Sequence, residues 1–345
     1  MSKTDTGRFF EDYAIGQTLL HPTPRTLTAG DVAVYTGLYP TRFALYSSEL
    51  FAHACGLQAR PVEDLAVFHT VFGKTVPDVS LNAVANLGYA EGRFLGTVLP
   101  GDTLSAVSEV IGLRELSNGR AGIVWVRTTG LNQRGRAVLR YARWVMVQKR
   151  DHAAPAPDPV IPDLAEAVAP RDLVVPYGLH FRGYDRVAAG SPHVWGDYEI
   201  GEKIDHVDGV TIEETDHMMA ARLWQNTSKV HFDPAARGGE PRIVYGGHVI
   251  SLARALSFNG LANAQMIVAI NGGSHTAPSF AGDTIYAWSE VLDKAETAEP
   301  SIGALRLRTV GVKNRRAGDF PLKDEAGKPA EGVVLDFDYW VLMPR

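Results

Sequence analysis

The 345-residue sequence has little with which to cross-link itself: it holds one cysteine, Cys55, and so no internal disulfide. A single thiol suits a reducing compartment. Cys55 lies in an apolar, helix-like run, SSELFAHACGL (47–57). Thiols in such runs are more often buried and structural than reactive, which sets it aside as a nucleophile. No stretch approaches 18 uninterrupted apolar residues, so no membrane-spanning helix is predicted. The opening MSKTDTGRFFEDYAIG lacks the basic start, apolar centre and small-residue cleavage site of a signal peptide. A cytoplasmic protein is expected. A net charge of −5 offers no bulk attraction to nucleic acid or an anionic membrane, and neither is expected as a partner.

Motifs that would carry other chemistry are missing too. No histidine stands at a zinc spacing from Cys55 or in an H-x-x-x-H pair with a helical carboxylate, so no metal is expected. There is no glycine-rich phosphate loop, no dinucleotide fingerprint and no G-x-S-x-G elbow, which disfavours nucleotide enzymes and serine hydrolases.

What is present is a text written twice. FEDYAIG (10–16) returns as WGDYEIG (195–201), at an offset of 185 residues (Asp197 against Asp12). The same offset pairs His21 with His206 and Asp31 with Asp216. GRFLGTVLPGDTLSAVSEV (92–110) returns as GSHTAPSFAGDTIYAWSEV (273–291), and VLRYARWVM (138–146) as VLDFDYWVL (334–342). The order is kept and the offsets change only by loop-sized amounts, which points to duplication. DHAAPAPDPVIPDLAEAVAPRDLVVP (151–176) carries six prolines, which deny amide donors to sheets and helices. The expected organisation is a repeat over 1–150, an extended connector over 151–189 and a second repeat over 190–345.

Within each half the period changes once. TAGDVAVYTGLYP, SSELFAHACGL, TIEETDHMMAARLW and GGHVISLARALSF place apolar residues at helical spacing. After Gly92 and Gly273 come β-rich runs such as GDTLSAVSEVIGLRE, AGIVWVRTTGLNQRG and AVLRYARWVMVQK, separated by turn residues. Each half is therefore predicted to be α+β, helices followed by a mainly antiparallel sheet. Asp102 and Asp283, in the two GDT turns, are expected at strand entries; His21 and His206, recurring as a pair, are expected to serve the fold.

Helices wrapped by an antiparallel sheet, twice in one chain, resemble a double hotdog. More narrowly, the chain resembles the MaoC-like (R)-specific enoyl-CoA hydratases. Their motif G-D-x-N-P-[aliphatic]-H falls on QNTSKVH (225–231), where Val230 and His231 match. Asn226 stands at the motif's aspartate, Ser228 at its asparagine and Lys229 at its proline. The family's later glycine-bearing helix start fits RIVYGGHVISL (242–252). Across nearly its whole length the text is similar to the mesaconyl-CoA hydratase (β-methylmalyl-CoA dehydratase) group of that family. In the first half LYPTRFALY (38–46) lies under LWQNTSKVH (223–231), with Tyr46 where His231 stands, so that half is expected to bind substrate rather than catalyse.

The resemblance implies a CoA-thioester substrate, no further cofactor, and a hydro-lyase acting on mesaconyl-CoA and β-methylmalyl-CoA. His231 is the expected general base, in the pH range where histidine titrates. The Gly246–Gly247 amides are expected to receive the charge that develops on the thioester oxygen. Asn226 can orient water but cannot trade protons. Hence either His231 makes both proton transfers or a carboxylate assists, with Asp233, Asp216, Glu49 and Glu63 as the candidates. Arg42, then Arg222, is expected to meet a free acyl carboxylate, with Tyr46 and Ser228 also on the substrate side. Lys313, Arg315 and Arg316, or Arg134 and Arg136, are candidates for the CoA phosphates. His248 is expected to pack or cap rather than react. A hydratase for plain acyl chains and a non-catalytic acyl-CoA-binding subunit are the alternatives. Exposed hotdog sheet edges lead to the expectation of a homo-oligomer.

Overall fold

The structure is a computed structural model that describes residues 3–345. The first half runs β1 (Thr18–Thr26), α1 (Ala29–Leu38), the short α2 (Ala44–Ser47) and α3 (Glu49–Ala54), then α4 (Asp64–Thr75). Four long strands follow: β2 (Ala83–Phe94), β3 (Thr103–Glu115), β4 (Ala121–Leu131) and β5 (Ala137–Gln148). After the short α5 (Arg186–Ala189) the order returns: β6 (Lys203–Thr211), α6 (Glu214–Leu223), α7 (Gly246–Leu256) and the short α8 (Phe258–Leu261). The second set of long strands is β7 (Met266–His275), β8 (Thr284–Glu296), β9 (Ile302–Lys313) and β10 (Val333–Pro344). The ten strands form one antiparallel sheet in the order β1-β3-β4-β5-β2-β7-β10-β9-β8-β6. Its halves meet where β2 pairs with β7, Gly92 opposite Ile270 and Arg93 opposite Ala269.

Each half wraps its sheet around one helix. α4 packs against β1, β3, β5 and β7, and α7 against β6, β8, β9 and β10. Both helices are buried over almost their whole length. A helix enclosed on all sides needs apolar or small residues, or polar ones with partners, and DLAVFHTVFGKT supplies both: Asp64 accepts from the Ile267 amide, His69 bonds Tyr245 and Ser251, and Lys74 bonds Gln225. The same all-round character hides it from a search for helical periodicity, which is why α4 escaped the sequence reading.

The paired histidines do serve the fold. His21 on β1 spans Asp78 (Nδ1 to Oδ2, 2.9 Å) and Ser108 (Nε2 to Oγ, 2.8 Å), and Ser108 continues to Thr128. His206 on β6 spans the Asn259 carbonyl (2.6 Å) and Ser289 (2.8 Å), and Ser289 continues to Thr309. These chains fasten each edge strand, whose outer amides face away from the sheet, to its neighbours. Edge position also explains how β1 tolerates Pro22 and Pro24: its pairing with β3 is broken between His21 and Arg25. The GDT turns recur as well. The carboxylates of Asp102 and Asp283 accept from the Leu99 and Phe280 amides, at 2.8 and 2.9 Å.

The 151–189 segment is packed rather than loose. Val160 bridges to Leu113, and the Val168 amide donates to Asn271 Oδ1 at 2.8 Å. Val168, Leu179 and Phe181 join a buried cluster with Trp340 and Leu342. The His180 amide donates to the Cys55 carbonyl. Burial pushes the Cys55 thiol up to about 12, which removes the thiolate form that reactive cysteines need.

Candidate active site

The site is built by the way α6 stops. Gln225 adopts a left-handed backbone (φ 53°), its amide donates to the Arg222 carbonyl and the Asn226 amide to the Ala221 carbonyl. This paired closure satisfies the last carbonyls of α6 and turns the chain inward. Lys74 on α4 donates to the Gln225 side chain and braces the turn from the other half. Asn226 is thereby buried, and its Oδ1 accepts from the Ser228 amide at 3.1 Å. A single 3-10 turn, Lys229–His231, then presents the histidine. His231 Nδ1 stands 2.8 Å from the Ile243 carbonyl oxygen. A carbonyl only accepts, so Nδ1 carries the hydrogen and Nε2 keeps its lone pair. The Ile243 amide returns a bond to the Val230 carbonyl, which holds the two segments together.

Three residues later α7 begins at Gly246. Both glycines there are required by close approach. A Cβ on Gly246 would lie 2.5 Å from the His275 ring, and one on Gly247 2.5 Å from the Tyr245 ring and 2.6 Å from His69. A helix start leaves its first amides without partners inside the helix and carries the positive end of its dipole. Negative charge is stabilised at such a place.

Asn226, Ser228, His231 and Gly246 all line one cavity of about 290 Å³, whose wall is drawn from both halves. The second half also supplies Val230, Ile243, Tyr245 and His275; the first supplies Phe72 and Val76, with Asn86 and Tyr89 of β2 and Arg143 of β5. Among the described residues no aspartate or glutamate lines it. Burial lowers His231 and His275 to about 4 each, and each is further lowered by another histidine, His217 beside the first and His231 beside the second. Both imidazoles are neutral at pH 7.

The remaining expected residues lie elsewhere. Arg42 is exposed, with its guanidinium 4.3 Å over the Phe258 ring, and does not line the cavity. Arg222 is exposed on α6 and also outside. Tyr46 is buried at a separate void of only about 10 Å³ beside Glu63, where its hydroxyl bonds Asp64. The equivalent of the site in the first half is thus filled by its own side chains. None of the four carboxylate candidates reaches the cavity. Asp233 caps the turn at Ala235, Glu49 accepts from the Arg60 amide, Asp216 sits on α6 away from the wall, and Glu63 is bonded to Thr41. Gly247 lies one residue behind the lining. His248 packs on Tyr39, its Nδ1 3.0 Å from the hydroxyl. Of the basic residues considered for the CoA phosphates, Lys313 donates to the carbonyl of Pro278 in the cavity wall and pairs with Asp283. Arg315 pairs with Asp319, Arg316 donates to the Val207 carbonyl, and Arg134 and Arg136 are exposed on the β4–β5 turn.

Sequence reasoning passed over His275, Asn86 and Arg143. All three sit in strands, where a period-2 pattern says which face a residue takes but not what it faces. Arg143 gave one signal: a charge in the middle of AVLRYARWVMVQK, at a position the alternation assigns to the interior.

A family model described as mesaconyl-CoA hydratase matches residues 1–320. The chain belongs to the mesaconyl-CoA hydratase family. Among curated relatives it is 66% identical to the mesaconyl-CoA hydratase of Cereibacter sphaeroides, over 99% of this chain and all of that one. It is 60% identical to the β-methylmalyl-CoA dehydratase of Chloroflexus aurantiacus, over 100% and 99% of the two chains. The crystal structure of a MaoC domain dehydratase from Chloroflexus aurantiacus superposes with a TM-score of 0.97 at 60% identity, covering 100% and 99% of the chains. A Mycobacterium tuberculosis protein with a double hotdog fold follows at 0.78 and 25% identity, covering 99% of each. Membership of this family fixes the fold as a double hotdog.

Proposed function

We propose that the protein interconverts mesaconyl-CoA and β-methylmalyl-CoA by adding or removing water at the enoyl thioester. One observation carries the chemistry: a neutral histidine, held by its Nδ1 to a backbone carbonyl, shares a cavity with the open start of α7. In hydration, His231 Nε2 takes a proton from water as the hydroxide oxygen bonds the β-carbon. The double-bond electrons move to the α-carbon and thioester oxygen, where the Gly246 amide and the helix dipole receive the charge, with the Gly247 amide next in line. The proton held by His231 is then delivered to the α-carbon, so one water is added with nothing left over. Asn226 orients the water. With no carboxylate in the wall, imidazole makes both transfers. Dehydration runs the same steps in reverse.

The test follows the loss of enoyl-thioester absorbance with mesaconyl-CoA and crotonyl-CoA side by side. Rapid loss with mesaconyl-CoA alone is expected. Activity on crotonyl-CoA alone would replace the substrate with a plain acyl chain, and inactivity on both would leave a binding protein.

The reading extends to a homo-oligomer in which copies cover the edge strands. Leu20 on β1 is 76% exposed and Val207 on β6 is 50% exposed, and edges of this kind invite pairing. A solution mass equal to one chain would overturn that part. A cytoplasmic location fits the single buried thiol and CoA chemistry, and cell fractionation tests it. Among the described residues no helix is long and apolar enough to cross a membrane.

A further inference from the structure

Among the described residues Arg143 is the one lysine or arginine in the cavity wall, and it is fully buried. Its Nη2 donates to Thr75 Oγ1 at 2.7 Å and to Ser80 Oγ at 3.3 Å, and the guanidinium lies 4.3 Å over the Phe72 ring. Nε and Nη1 have no partner among the described residues, and neither has either end of the buried Asn86 amide in the same wall. Among the described residues no carboxylate forms an ion pair with Arg143, and the tyrosines that act on it, Tyr141, Tyr89, Tyr13 and Tyr245, are held neutral by burial. A buried arginine stays protonated, and a buried charge is ordinarily paired. A structural arginine that only tied α4 to the sheet would be satisfied by Thr75 and Ser80. This one keeps three N–H donors, on two nitrogens, for something else.

We infer that Arg143, with Asn86 beside it in the wall, binds the free carboxylate of the acyl group and sets the preference for dicarboxylic acyl thioesters. The inference rests on the proposed hydration of mesaconyl-CoA. In that substrate the carboxylate is attached to the carbon that receives hydroxide. An uncompensated anion there repels the incoming hydroxide and opposes the negative charge that forms on the thioester. A buried cation offsets both, so Arg143 contributes to turnover as well as to binding. It also selects against a plain chain, because an apolar group would leave the guanidinium buried and unpaired.

The experiment compares mesaconyl-CoA with tiglyl-CoA, which has the same carbon skeleton with a methyl in place of the free carboxylate. Wild-type protein, Arg143→Met and Arg143→Lys are assayed on both. Truncating one partner of a buried charged contact weakens it by roughly 30- to several-thousand-fold. Arg143→Met should lose about that much kcat/KM on mesaconyl-CoA, through kcat as well as KM. On tiglyl-CoA it should lose far less or gain, so that the preference for mesaconyl-CoA over tiglyl-CoA drops by at least about 30-fold, and Arg143→Lys should fall between. Unchanged mesaconyl-CoA hydration by Arg143→Met, or equal loss on both substrates by a folded variant, would overturn the inference and leave the proposed function standing. A wild-type protein inert on mesaconyl-CoA would instead remove the function on which it rests. Should Arg143→Met fail to fold, wild-type affinities for methylsuccinyl-CoA and 2-methylbutyryl-CoA decide. At least about 30-fold tighter binding of the carboxylate-bearing thioester is expected, and equal affinity would refute it.

Discussion

His231 Nδ1 lies 2.8 Å from the carbonyl oxygen of Ile243, two residues before the chain enters α7 through Tyr245. That bond fixes the tautomer, and burial holds the ring neutral down to about pH 4. Protonation removes the base, so activity should be flat from pH 6 to 8 and fall on the acid side with a midpoint near 4. Steady-state kcat between pH 3.5 and 8, over the range in which the protein stays folded, provides the check. An acid limb near 6.5, the ordinary histidine value, would mean that burial does not lower the base.

Replacing His231 with alanine should lower kcat by about 10²–10⁴, the range for a general acid–base group, while substrate analogues still bind. Binding and turnover measured on the same preparation separate these effects. Retention of more than a tenth of the wild-type kcat would rule out His231 as the base.

Asn226→Asp keeps the acceptor for the Ser228 amide but introduces a carboxylate near His231. A neighbouring negative charge favours imidazolium, so the acid limb should move up from about 4 towards neutrality. Asn226→Ala should leave the limb in place and lower kcat by roughly 10-fold or more through loss of water positioning and of the turn. A limb unmoved in Asn226→Asp would show that residue 226 does not face the base.

Gly246→Ala drives a methyl into the His275 ring, 2.5 Å from where its Cβ must go. The helix start has to shift, and a misplaced oxyanion donor costs about 10²–10³ in rate. The check is kcat for Gly246→Ala against unchanged circular dichroism. Wild-type turnover would separate the α7 amide from the reaction.

Stability should fall as the medium is acidified from pH 6.5 towards 4.5. His69 and His248 are lowered to about 3, and His206, His231 and His275 to about 4, all by burial. Each therefore takes up a proton on unfolding in that window, which favours the unfolded chain as pH drops. Glu63 and Asp64, pushed up by burial to about 8 and about 7, act in the opposite sense because they release protons on unfolding. Five uptakes against two releases leave a net uptake, at about 1.4 kcal/mol per pH unit for each net proton. Tm measured at pH 6.5 and 5 should drop; a rise would mean the carboxylates dominate.

How much of this could be read from the sequence depended on which pattern each element left in it. The duplicated FEDYAIG and GDT segments, the helical runs behind α1, α3, α6 and α7, and the β-rich runs behind β3, β4 and β5 were legible, because periodicity and turn residues are local. α4 was not, since enclosure by the sheet erased the polar face that marks a helix. The QNTSKVH segment could be located by its motif. Its opposite wall could not: Arg143 and Asn86 reach the cavity only through pairing between β5 and β2, in which Arg143 stands opposite Tyr89. Arg42 shares the first-half segment with Tyr46, and the sequence does not say that Tyr46 turns in to Asp64 while Arg42 lies exposed over Phe258.

The cavity wall drawn from both halves separates two kinds of heritable change. Asn226, His231 and Gly246, proposed to add the water, belong to one half, whereas Asn86 and Arg143, proposed to hold the acyl carboxylate, belong to the other. A change in the first half can therefore alter the acyl group that fits while the residues of the QNTSKVH segment stay as they are. A lineage with this arrangement can change its diet of thioesters while leaving the chemistry inherited intact.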